Sequence, residues 1–226
     1  AGDVTQNGSA EGLEQARALL AQVPVPLLLL TGNHDAYKEN RATLLATAFP
    51  DQFPKGRGFK SVRHGGLRFI TLDAWWSYGE GPLLPYLDRS RPLTGMAVPP
   101  DQLAELTTVL KDHPTEPTIL LTHFPLCPMS ERLRAPDRKD AGRLINAPQV
   151  LEVIRTCGRV VASFSGHQHF NQIDVRDGIV HCITAAMVEY PMMCRIVDVF
   201  DGRLRISTHQ IHGTDFPARS LDGAGW

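Results

Sequence analysis

Cysteine is scarce in this chain: Cys127, Cys157, Cys182 and Cys194 stand far apart and form no CxxC pair. That spacing excludes a zinc ribbon and gives no disulfide framework, so the four read as reduced, mostly buried thiols. Neither sign of charge is in excess, with 23 Lys+Arg against 24 Asp+Glu. No basic surface for nucleic acid or anionic membrane is expected. The most apolar run, over residues 23–30, is too short to span a bilayer and contains Pro24 and Pro26. Repeats and low-complexity linkers are absent. So is an initiator Met: the chain opens Ala1-Gly2-Asp3, which suggests that upstream sequence is missing and that the lack of a signal peptide carries no weight. A cytoplasmic location is the expectation.

What is present is enough for one domain spanning residues 1–226, since 42% of 226 residues are hydrophobic. Residues 9–23 have the spacing of an amphipathic helix, with Leu13, Ala16, Leu19 and Leu20 on one face. Residues 25–30 predict a short buried strand and 38–49 a second helix. Residues 59–64 and 67–73 predict a hairpin turning at Gly65-Gly66. A long Gly- and Pro-rich loop over 74–98 follows, then a helix over 100–111 opened by two prolines, and a strand over 118–121. After a second loop over 124–145, Asn146 has the character of an N-cap for a helix reaching about Cys157. A strand over 160–164 comes next. Four antiparallel strands close the pattern, turning at Asp177-Gly178 and Asp201-Gly202. Alternating strand and helix followed by strand-rich sequence predicts a layered α/β domain.

Four segments place Asp, Asn or His at a strand end or at a comparable chain start: Gly2-Asp3, Gly32-Asn33-His34-Asp35, Thr122-His123 and Gly166-His167-Gln168-His169. Sites in open α/β sheets collect at the carboxyl ends of strands, so the four loops are expected to converge. Imidazole suits zinc and iron, while carboxylate and amide oxygens suit manganese and magnesium. A carboxylate such as Asp3 has two oxygens with which to bridge two ions.

In this order the segments resemble the calcineurin-like metallophosphoesterases, whose pattern runs D-x-H, G-D, G-N-H-D/E, a lone His and G-H-x-H, each at a strand end. Gly2-Asp3 resembles the second motif, Gly32 to Asp35 the third, His123 before Phe124-Pro125 the lone histidine, and Gly166 to His169 the last. The D-x-H motif has no counterpart upstream of Asp3. The resemblance implies a four-layer α-β-β-α sandwich of two mixed sheets. It also implies two divalent metal ions, of manganese, iron or zinc. Asp3 would bridge them, with Asn33, His123 and His167 completing one ion and His169 serving the other. The implied activity is hydrolysis of a small phosphate ester by metal-activated hydroxide. The G-N-H-D form and compact size favour phosphodiesters; a phosphomonoesterase, a nucleotide pyrophosphatase and a non-catalytic scaffold are the alternatives. His34, beside Asn33, is the candidate proton donor to the leaving alkoxide, with Asp35 expected to hold its ring and raise its pKa.

Other residues weigh less. Trp75, Trp76 and Tyr78 could wall a pocket or pack on the core. Asp73 could orient a ligand histidine, though a plain turn residue is the simpler reading. Cys127 and Arg132 follow His123 in a loop that could approach the site, and both read better as structural. His64, His113, His181, His209 and His212 read as structural or exposed, and residues 187–191 as shaping a pocket at most.

Overall fold

The computed structural model describes residues 2–130 and 142–221. Helix α1 (Ala10–Leu20) starts where Ser9 caps it, the serine hydroxyl accepting from the Gly12 N–H, and it buries Leu13 and Ala16. Helix α2 (Arg41–Ala48) packs Leu45 onto that face together with Phe49 and Phe53, forming a small core of their own. Strands β1 (Lys60–His64) and β2 (Leu67–Leu72) make the expected hairpin, and both turn glycines have positive φ.

Next come β3 (Trp75–Ser77), β4 (Gly95–Ala97), α3 (Pro100–Asp112), β5 (Thr118–Thr122), α4 (Ala147–Thr156) and β6 (Val160–Ser165). The chain closes with β7 (Gln172–Arg176), β8 (Ile179–Ile183), β9 (Met193–Phe200), β10 (Arg203–Gln210) and α5 (Phe216–Leu221). Six strands form one mixed sheet in the order β1-β2-β5-β6-β8-β7, with β2, β5, β6 and β8 parallel and the two edges antiparallel.

The alternation of each strand sends its side chains to two cores. Ile70, Leu72 and Leu120 face α3 and α4, where Leu106, Leu110, Val150 and Ile154 meet them. Leu67, Ile119 and Ala162 face the other way, and Leu204 of the β9–β10 ribbon packs against that cluster. The result is the layered mixed α/β architecture the sequence predicts, with the second strand layer carried by a two-stranded ribbon. No helix among the described residues is long and apolar enough to cross a membrane.

Three local expectations are corrected. Residues 25–30 run without ladder partners among the described residues. The Gln52 side chain bonds them instead, accepting from Leu29 N (3.0 Å) and donating to Leu27 O (2.9 Å). The loop over 74–98 contains the β3–β4 ribbon, whose three-residue strands are too short for alternation to show in sequence. Trp76 and Tyr78 belong to the main core. Asn146 occupies the N-cap position, but its amide bonds Val98 N and O (3.0 and 2.8 Å) rather than the helix.

Candidate metal centre

Strands β5 and β6 are parallel neighbours, so the residues that follow them leave the sheet side by side. His123 follows β5 and His167 follows β6, and the Gly166 N–H donates to the His123 carbonyl (3.0 Å). Their rings meet edge to face with centroids 5.0 Å apart. His167 and His169 both have positive φ, an uncommon backbone state for a non-glycine residue that turns the loop sharply off the strand.

The segment after Leu30 brings Asn33 to the same point, and Asp3 arrives from the chain start. Asp3 Oδ1 accepts from the His34 N–H (2.9 Å), and its Oδ2 lies 3.2 Å from His123 Nε2. The approach leaves no room at two glycines. A Cβ on Gly32 would stand 2.1 Å from Asp3 Oδ1, and one on Gly2 would stand 2.4 Å from His123 Nδ1.

Three polar atoms thus surround His123 Nε2: Asn33 Oδ1 at 3.1 Å, His167 Nδ1 at 3.2 Å and Asp3 Oδ2 at 3.2 Å. One imidazole nitrogen carries at most one hydrogen, so it cannot satisfy three such neighbours. Ligands each about 2.0–2.2 Å from a shared ion stand roughly 3–3.5 Å from one another, so the spacing suits a cation among them. Among the described residues, no three His, Cys, Asp or Glu side chains close into a metal-holding group by themselves. The convergence here is instead a set of pairwise contacts on one nitrogen, and an amide oxygen belongs to it. One nitrogen-rich site with a carboxylate and an amide fits an ion of intermediate hardness.

Electrostatics agree. Burial opposes ionisation of Asp3, but the hydrogen bond and charge of His123 and the His34 N–H outweigh it, holding the carboxyl below its usual range. Burial, then the neighbouring His123, pushes His167 down to about 3, so its ring stays neutral with a lone pair to donate.

His169 lines the same cavity of about 610 Å³ as Asp3, His34, His123 and His167. Its Nδ1 is bound to the Glu189 carboxylate, a partner that nothing in the spacing of residues 187–191 singles out. A carboxylate on one ring nitrogen fixes the tautomer and leaves Nε2 to ligate. A second cavity of about 340 Å³, bordered by Asn33, Trp76, Phe124 and Ile145, shares His167 as a lining residue with the first.

The expected partnership of His34 with Asp35 is corrected. His34 Nδ1 lies 2.7 Å from the Gln6 carbonyl, which can only accept, so this nitrogen carries hydrogen. Asp35 is buried and accepts from Val4 N, Thr5 N, Thr5 Oγ1 and Gly32 N at 2.8–3.0 Å. It latches residues 4–5, and with them Asp3, to the loop carrying Asn33. Burial pushes its carboxyl up against the pull of those four donors.

Asp73 fills neither expected role. It forms a buried ion pair with Arg41 (2.6 Å), and the Thr31 hydroxyl donates to it (2.7 Å), anchoring the residue before Gly32. Cys127 is buried, and burial raises its thiol to about 11, which removes it as a nucleophile. His181 is buried, while His64 in β1, His209 in β10 and His212 beyond the end of β10 are exposed, and none of the four lines the cavity that holds the donor set. Arg132 lies outside the described residues.

The sequence model of the calcineurin-like phosphoesterases matches residues 1–171. A dimetal phosphatase from Danio rerio, known from its crystal structure, shares 17% identity over 88% of this chain and 74% of its own, with a TM-score of 0.65. That likeness speaks for the fold. No match was found among curated proteins. The family model spans every motif discussed here, from Gly2-Asp3 to His169, and the chain belongs to the calcineurin-like phosphoesterase family of binuclear metal-dependent hydrolases.

Proposed function

We propose that the chain hydrolyses phosphodiesters, with the phosphoryl group seated on the donor cluster around His123 Nε2. The observation that carries this reading is that members of that cluster line two cavities, of about 610 and 340 Å³. A diester has two substituents to house and a monoester has one.

Asp3, Asn33, His123 and His167 would hold one ion, and Asp3 with His169 would contribute to the other. When bound, such ions supply Lewis acidity toward phosphoryl oxygens and generate a nucleophile from water near neutral pH. The remaining work falls to the protein's own groups. His34 donates through Nδ1 to the Gln6 carbonyl, so its ring is fixed and Nε2 is the nitrogen left to carry a proton to the departing alkoxide. Asp35 positions Asp3 by holding residues 4–5, and takes no part in the proton transfer.

The test is hydrolysis by the manganese-loaded protein of bis(p-nitrophenyl) phosphate against p-nitrophenyl phosphate. Preference for the diester, lost in D3N, is the expected result. H34A should slow methyl p-nitrophenyl phosphate little and diesters with alkyl leaving groups much more. Faster turnover of the monoester would overturn the diester reading, and equal losses for both leaving groups would remove His34 from its role.

A further inference from the structure

Arg195, in β9, borders the 610 Å³ cavity together with Asp3, His34 and His169. Its guanidinium donates to the Ile183 carbonyl at the end of β8 (3.2 Å) and to the Thr208 hydroxyl across the ribbon. Neither partner is charged, and Arg195 forms no ion pair among the described residues. Its Nε is buried without a hydrogen-bond partner. A guanidinium has five N–H donors in a rigid fork, and two are placed here. Taking part of a cation out of water without a counter-ion is costly, so a site that holds one in this way suits an anion that arrives with the ligand. Asp3 is the one carboxylate on the cavity wall among the described residues, and it belongs to the donor cluster. No other described residue of that wall carries a negative charge.

We infer that Arg195 is a specificity-determining residue that binds a phosphate oxyanion of the substrate within the larger cavity. This rests on the phosphoester-hydrolase reading of the site, and it adds a substrate contact that is independent of the metal ligands. Two sources offer the same chemistry: an oxygen of the reacting phosphoryl group, or a second phosphate on the substituent housed in that cavity. A fork that binds an oxyanion through charge-assisted bonds distinguishes R195M, which loses everything, from R195K, which keeps charge without the fork.

The experiment is calorimetric binding of inorganic phosphate and of ADP to the manganese-loaded protein, for wild type, R195M and R195K, with metal content and melting temperature measured alongside. R195M should weaken binding about 10- to 100-fold at unchanged metal content, with R195K intermediate. Weakening with both probes identifies the phosphoryl oxygen as the group read; weakening with ADP alone identifies the second phosphate. A lowered melting temperature with both affinities unchanged within twofold would make Arg195 a clamp between β8 and the ribbon and overturn the inference. R195K decides the matter by the same criterion if R195M does not fold. Because the readout is binding, wild-type protein that binds phosphate through Arg195 but hydrolyses no ester would sink the hydrolase reading alone.

Discussion

Replacing Asp73 by Asn tests how the active loop is held. Arg41 and Asp73 are 2% and 3% exposed and their charged atoms stand 2.6 Å apart. The same Asp73 oxygen accepts from Thr31, and the same Arg41 nitrogen donates to Thr31. The asparagine keeps the shape but removes the charge, leaving a buried guanidinium uncompensated. Breaking such a pair from one side costs about 3–5 kcal/mol. Against a total stability of roughly 5–15 kcal/mol, that is a fifth or more. Replacing both partners, as R41M/D73L, removes the stranded charge and should recover most of the loss. Urea denaturation followed by fluorescence gives the three stabilities. Thr31 directly precedes Gly32-Asn33, so D73N should also weaken manganese binding. A D73N cost below about 1 kcal/mol, or a double variant no more stable than D73N, would refute the account of the pair as a charge-compensated anchor.

Two further outcomes follow from His181 and Glu189. Burial, then the charge of Arg176, holds His181 below its usual 6.5. The unfolded chain therefore takes up a proton that the folded chain refuses, and stability falls as pH drops below about 6.5. H181Q should flatten that slope in urea titrations between pH 5 and 7, and an unchanged slope would count against the burial argument. Glu189 orients His169, so E189Q should lower manganese affinity about 10- to 100-fold at one of two sites, read by electron paramagnetic resonance. Loss at both sites, or at neither, would contradict that assignment.

The elements legible in sequence were those with a long repeat or a strong punctuation. Gly65-Gly66 and Asp177-Gly178 marked hairpins because positive φ is needed there. The apolar face of α1 showed because eleven residues repeat it. The ribbon β3–β4 did not, since three residues hold no period. At the site, His123 and His167 were legible because each follows an apolar strand, and strand order brings them together. Glu189, Arg195 and Gln6 were not, because nothing in their spacing relates them to those strands. Asp35 was misread for a related reason. Adjacency to His34 suggested a contact, but in a 3-10 turn neighbouring side chains diverge, and its carboxylate reaches residues 4–5 instead.

The Gln52 amide, bonded to Leu27 O and Leu29 N, acts as a single rung where a strand would offer a whole ladder. Among the described residues, side-chain hydrogen bonds fasten residues 25–31 at two points, this rung and the Thr31 anchor, while Leu29 and Leu30 pack inward and Val25 is exposed. Such a segment opens by losing a few bonds and not the whole sheet, so its amides should exchange hydrogen far faster than those of β5 or β6. Asn33 is carried at the end of this loosely fastened stretch. Asn33, one of the proposed ligands, then belongs to a less stable unit than His123 and His167, and a bound ion would couple the two. Metal loading should slow exchange over residues 25–33 more than anywhere in the central strands.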